Sequence, residues 1–288
     1  MNPSSTSVVE PTAPQKRKSP MSTRQRLLFF FTAWLIVLMP FLFWWNTWFG
    51  RQLSDKQITE YLRDDKHPRH IQHALVQIGE RMTRHDAAVR QWYPDLMRLA
   101  TYSVEDVRNT DAWVMGQDNS VPSFHAVLLN MLEDSSVTVR GNAALSLVRF
   151  GDGTGRAQLV ALLQPAKVLA PEAGTVLDTG KTGEVIHQSG LVAKIKAGDK
   201  TVEARSPITG RIHSLSAEKG QAIAAGVEIA TVSPDTEQIW EALRGLYFVG
   251  QMDDLSTVRA YQRPLPDIPD RVRQQASLTE QAIRARAK

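Results

Sequence analysis

Apolar and polar positions divide the chain into stretches with different periods. Residues 27–50 carry no charged side chain and include Phe29, Phe30, Phe31, Phe41, Phe43 and Phe49. At about 1.5 Å of rise per residue, such a run covers a hydrocarbon core of roughly 30 Å. It predicts a transmembrane helix with Trp44, Trp45 and Trp48 in an interfacial belt. Between residues 54 and 165 the pattern changes to short amphipathic helices. Leu96-Met97-x-Leu99 recurs as Leu128-Leu129-x-Met131 and as Val160-Ala161-x-Leu163, 32 residues apart each time. Val107-Arg108 and Val139-Arg140 repeat at the same interval, ahead of the small residues Ala112, Ala143 and Ala144. Self-similarity at a fixed period predicts stacked helices. The helical pattern returns over 236–288 with Trp240-Glu241-Ala242-Leu243 and Val272-Arg273-Gln274-Gln275-Ala276, split by Pro264, Pro266 and Pro269.

Residues 167–234 follow a third pattern, in which one cassette is written twice. Ala170-Pro171-Glu172-Ala173-Gly174-Thr175-Val176 is echoed 36 residues later by Ser206-Pro207-Ile208-Thr209-Gly210-Arg211-Ile212. Each copy has a second beat, Gly183, Ile186, Gly190 and Ile195 in the first, Gly220, Ile223, Gly226 and Val232 in the second. Proline starts a strand without donating a ladder bond, and glycine allows the turn that follows. Neither copy alone can bury its apolar face. The two are expected to interlock into one small β barrel.

Charge and composition narrow the possible partners. The net charge is +4, and over the first 26 residues Lys16, Arg17, Lys18, Arg24 and Arg26 face a single acid, Glu10. A basic tail beside an apolar span favours anionic headgroups over nucleic acid. Membrane lipid contacted through 27–50 is therefore an expected partner, and nucleic acid is not. Basic residues are as frequent just after the span (Arg51, Lys56, Arg63, Lys66, Arg69) as before it. Anchors with a short basic tail commonly keep that tail inside. The expected placement is a single-pass protein of the cell membrane, N-terminus cytoplasmic and main domain exported to the periplasm. With no cysteine, disulfides, thiolate metal sites and cysteine nucleophiles are excluded together.

Candidate chemistry is sparse. His67, His70 and His73 stand three residues apart, the last two on one helical face. Zinc or copper can use such a pair, but no further ligand is evident from spacing. The expectation is a solvated histidine cluster without metal. Gly151-Asp152-Gly153-Thr154-Gly155 lacks the lysine of a phosphate-binding loop and does not follow a strand, so a turn is expected there. No Gly-x-Ser-x-Gly elbow occurs. Catalytic residues, a resident cofactor and enzymatic activity are not expected.

Two resemblances add to this picture. The helical stretch resembles HEAT repeats through Asp106-Val107-Arg108…Ala112-Trp113-Val114-Met115-Gly116 and Val139-Arg140-Gly141-Asn142-Ala143-Ala144-Leu145, with a degenerate copy from His70. That family implies a scaffold presenting an extended surface to other proteins. Residues 167–234 resemble the lipoyl/biotinyl, or barrel-sandwich hybrid, domain through the doubled cassette. In that family an exposed lysine between the halves can carry lipoate, and Asp199-Lys200 is similar to its Asp-Lys pair. Lys200 lies one residue closer to Pro207 than the family pattern has it, and Asp-Lys beside Gly198 is also ordinary turn composition. Membrane-fusion adaptors of efflux and secretion systems combine an anchor with such a barrel, but split its halves by a long helical hairpin that this chain lacks.

Together these features predict a multidomain α plus β fold: a basic tail (1–26), a single transmembrane helix (27–50), a HEAT-like solenoid (54–165) interrupted by an all-β barrel-sandwich hybrid (167–234), and C-terminal HEAT-like helices (236–288). The expected function is a membrane-anchored, non-enzymatic scaffold or accessory subunit that binds other membrane or envelope proteins. The alternatives are a periplasmic adaptor of a transport or secretion complex and a lipoyl carrier using Lys200.

Overall fold

A computed structural model describes residues 22–48, 52–264 and 268–288, with no side-chain description for residues 25 and 41–48. The chain divides into two compact units, Met1–Gln52 and Leu53–Lys288. In the first, helix α1 runs Thr23–Trp48 with Pro40 inside it. Among the described residues no helix is long and apolar enough to cross a membrane. Arg24 and Arg26 occupy the opening turns of α1. The expected single-pass anchor at 27–50, its lipid contact and the exported placement of the main domain are corrected accordingly. Residues 41–50 of that expectation lie outside the described side chains, and Lys16, Arg17 and Lys18 outside the described residues.

The second unit opens with helices α2 (Asp55–Leu62), α3 (Pro68–Thr83), α4 (Tyr93–Leu99), α5 (Glu105–Met115), α6 (Pro122–Met131), α7 (Val137–Arg149) and α8 (Arg156–Ala161). Eight strands follow: β1 (Ala166–Leu169), β2 (Gly174–Thr179), β3 (Val185–Ile186), β4 (Leu191–Ala197), β5 (Lys200–Arg205), β6 (Gly210–Leu215), β7 (Ala222–Ile223) and β8 (Glu228–Pro234). Helices α9 (Thr236–Val249), α10 (Leu255–Ala260) and α11 (Asp270–Arg286) close the chain. Proline opens α3 and α6 at the first helical position, where its missing N–H is not needed. Helices α3, α5, α7, α9 and α11 pack in a row, and each of α2, α4, α6, α8 and α10 lies against the helix that follows it. The strands leave the row after α8 and return to it at α9, yet α8 and α9 still touch. One apolar core runs through the row, from Ile58 and Trp92 through Phe124 and Leu147 to Leu243 and Ile283.

The strands form two open antiparallel sheets, ordered β1-β8-β6-β3 and β5-β4-β2-β7. Each copy of the cassette gives its short second strand to the other copy's sheet: β3 pairs with β6, and β7 with β2. Val176, Ile195, Ile212, Ile229 and Val232 fill the core that the sheets share. The two cassette glycines do the same job. A Cβ on Gly174 would lie 2.2 Å from the Lys196 carbonyl oxygen, and one on Gly210 1.9 Å from that of Ser233. Only glycine lets the strands come that close.

The expected closed barrel is not formed. Strands β3 and β7, at the ends of the two sheets, are two residues long, too short to carry a ladder across to the facing sheet. At the opposite edge β5 shows Lys200, Glu203 and Arg205 to solvent, and charge discourages further pairing. The fold is mixed helix and sheet, without a transmembrane span among the described residues and without a barrel.

Candidate functional site

Where the helix row meets the sheets lies a groove of about 250 Å³, lined from α5 and α7 by Asn109, Thr138, Asn142 and Leu145, from the sheets by Gln188 and Thr209, and from α9 by Gln238 and Glu241. Its walls are fixed by hydrogen bonds that cross elements distant in sequence. Glu105 Oε1 accepts from Ser136 Oγ at 2.6 Å, from Thr138 Oγ1 at 3.2 Å and from Gln188 Nε2 at 2.5 Å. Gln188 Nε2 also donates to Thr138 Oγ1 at 2.9 Å, and its backbone N–H donates to Thr209 Oγ1 at 3.0 Å. Asp235 caps α9 by accepting from the Gln238 N–H at 2.8 Å, while Gln238 Nε2 donates to the Leu162 carbonyl at 3.0 Å. Val137 packs on both apolar cores, so the junction is tied by burial as well.

The floor carries two amides from neighbouring helices. Asn142 Nδ2 donates to the Asn109 side-chain oxygen at 2.8 Å and to its backbone carbonyl at 3.3 Å. Two groups are left over among the described residues: Asn109 Nδ2 as donor and Asn142 Oδ1 as acceptor. Leu145, one turn on, offers an apolar wall. At the α9 rim Glu241 is paired with Arg244 at 3.2 Å, and Trp240 lies under Arg244 at 4.6 Å and Arg271 at 5.6 Å. No set of groups arranged for proton or acyl transfer lines the groove.

The residues singled out from sequence fall elsewhere. His67 and His70 come together, but on Asp64 rather than on His73. The Asp64 carboxylate accepts from His67 Nδ1 at 2.9 Å and from His70 Nδ1 at 2.7 Å. The His70 hydrogen bond, joined by that of His67 and opposed by burial, holds the Asp64 carboxyl below its ordinary range. His73 Nε2 instead lies 2.9 Å from Gln77 Nε2. Lys200 follows a two-residue turn in which Gly198 takes φ +61°, and its Nζ pairs with Glu172 Oε1 at 2.7 Å. Sequence spacing missed Asn109, Asn142 and Gln188. Asn109 and Asn142 do sit one repeat and one residue apart, which is the only local signal they leave.

Comparisons with known proteins add no identity. No family model matches the chain, and no curated protein matches it. Among solved structures, a single-chain, multi-domain long-chain acyl-CoA carboxylase matches at 16% identity over 34% of this chain, with a TM-score of 0.24. The match spans 10% of that protein's length. A likeness this weak carries no argument about fold or activity. The expected combination of HEAT repeats with a lipoyl-like domain is therefore corrected as a family assignment; what stands is the row of helix pairs and the two open sheets.

Proposed function

We propose that residues 53–288 act as a non-enzymatic scaffold that holds an extended segment of a partner protein in the groove between the helix row and the sheets. The observation that carries this reading is the Asn109–Asn142 pair. Its free N–H and free carbonyl oxygen match the one acceptor and one donor of a peptide group. A peptide unit laid across the pair replaces water without leaving either amide unpaired, and Leu145 beside it receives an apolar side chain. The internally bonded walls support the same reading, because a groove already held in place loses little freedom on binding.

A photo-crosslinking residue at position 145 in the full chain, expressed in its native host, tests the idea. The expected product is a covalent adduct that maps to one contiguous segment of one protein. Its yield falls about tenfold in N109A/N142A, as expected for two lost hydrogen bonds. An adduct only with small molecules, or a protein adduct indifferent to the two substitutions, overturns the reading.

A further inference from the structure

A second constellation lies outside the groove, in the connection between α2 and α3. Helix α2 ends at Leu62, and the next turn is closed by the Asp64 N–H donating to the Tyr61 carbonyl at 3.2 Å and the His67 N–H donating to that of Asp64 at 3.0 Å. Pro68 then fixes the first turn of α3. His67 stands at the N-cap, where Ser, Thr, Asp or Asn usually turns its side chain back onto the helix. Its ring makes no such bond. It points to Asp64 instead, and His70, three residues on, does the same. The His70 ring is held by a near-parallel stack on Tyr61, 4.4 Å between centroids at 12°. Two imidazole nitrogens and a carboxylate oxygen thereby converge within 4.8 Å of one another on a site open to solvent.

We propose that Asp64, His67 and His70 bind one divalent cation of the imidazole-preferring class, zinc, nickel, cobalt or copper, with water completing the shell. Nitrogen and oxygen ligands about 2.0–2.2 Å from such a cation stand about 3–3.5 Å apart from one another. The carboxylate-to-imidazole separations of 2.7–3.0 Å are already near that value. When each neutral ring shifts its proton from Nδ1 to Nε2, both Nδ1 lone pairs face the carboxylate and are free for the cation, so small ring and carboxylate adjustments suffice. Two nitrogen ligands select against magnesium and calcium, which take oxygen shells. Neither the groove nor its amide pair enters this argument.

Cobalt(II) titration of the untagged full-length protein, stripped with chelator beforehand, provides the test, followed by visible absorption and by zinc competition. One equivalent is expected to bind with a spectrum distinct from the hexaaqua ion. D64N and H70Q each weaken binding about tenfold or more, the scale of losing one contact at a metal site, whereas H73Q leaves it unchanged. All three positions are at the surface, and thermal melts of the apo variants confirm that each folds. Absence of binding at millimolar cobalt overturns the proposal. So does a site as sensitive to H73Q as to H70Q, or a spectrum that stays that of the hexaaqua ion.

Discussion

Helices α5 and α7 share one backbone plan and differ in where they put charge. Val107 and Val139 are both fully buried, 32 residues apart. The arginine after each reaches back to the carbonyls six and five residues before it: Arg108 Nη1 donates to Tyr102 and Ser103 at 2.8 and 3.3 Å, Arg140 Nη1 to Asp134 and Ser135 at 2.6 and 3.0 Å. Beyond that the two part. Arg108 makes a bidentate ion pair with Asp134 at 2.7 and 2.9 Å, both side chains little exposed at 13% and 11%. Arg140 faces the neutral amide of Gln158 at 3.2 Å. One turn on, α7 buries Ala143, and α5 buries Asp111 with neither carboxylate oxygen bonded. The repeat thus sets positions and leaves the electrostatics of each position free to differ.

The arginines give the widest separation. Arg108→Met leaves Asp134 without its counter-charge in a site largely closed to water, and about 3 kcal/mol of stability should be lost. Arg140→Met strips only a neutral bond and two carbonyl contacts, so about 1 kcal/mol is expected. Urea unfolding midpoints of the two variants measure the gap. Equal midpoints would mean that the shared carbonyl contacts, present in both helices, dominate over the ion pair.

Asp111 separates the helices in the opposite direction. Burial drives its carboxyl well above the ordinary range, with Arg98 a weaker opposing influence. Between the unfolded value of about 3.9 and that raised folded value, the native state holds the extra proton. Stability from this group is therefore greatest at low pH and declines as pH climbs through the window. Asp111→Ala, which gives α5 the residue of α7, should raise stability by about 1–2 kcal/mol at neutral pH, since no bonded polar group is removed. The gain should shrink toward pH 4. Parallel pH profiles for the parent and the variant would sink the assignment of the decline to Asp111.

Much of this was legible in the chain, and the remainder failed for identifiable reasons. Burial of Leu96, Val107, Leu128 and Val139 follows from apolar spacing, which is a property of one helix at a time. Asp111 also left a signal, a lone carboxylate four residues after Val107 and three before Val114 on an otherwise apolar stripe. The doubled cassette located strands but not their partners. Exchange of β3 and β7 between the copies, and the openness of the resulting sheets, depend on pairing across the duplication. The groove was out of reach, because Gln188 meets Glu105 across 83 residues. The histidines illustrate the limit well. Their spacing suggested His70 with His73, while the turn that ends α2 brings in Asp64, a residue with no helical register to the others. Residues 27–50 were read from their lack of charge alone, and among the described residues no helix is long and apolar enough to cross a membrane.

The smallest expected difference concerns the residue just before each helix, its N-cap. Ser136 caps α7 by accepting from the Val139 N–H at 3.4 Å, with φ −83° and ψ 129°. At α5 the same place is held by Val104 at φ −89° and ψ 121°, with no side-chain bond. The backbone is already in cap geometry, and only the oxygen is missing. Val104→Thr supplies it at nearly constant volume, keeping a methyl against the helical core on which Val104 packs. A gain of about 0.5 kcal/mol is expected, below the usual worth of about 1 kcal/mol for a cap because part of the hydroxyl enters a half-buried site. Ser136→Ala should cost more than this gain, since Ser136 also donates to Glu105 at 2.6 Å. A Val104→Thr midpoint below that of the parent would mean that desolvating the hydroxyl outweighs the cap, and that α5 tolerates an uncapped start for the sake of its core contact.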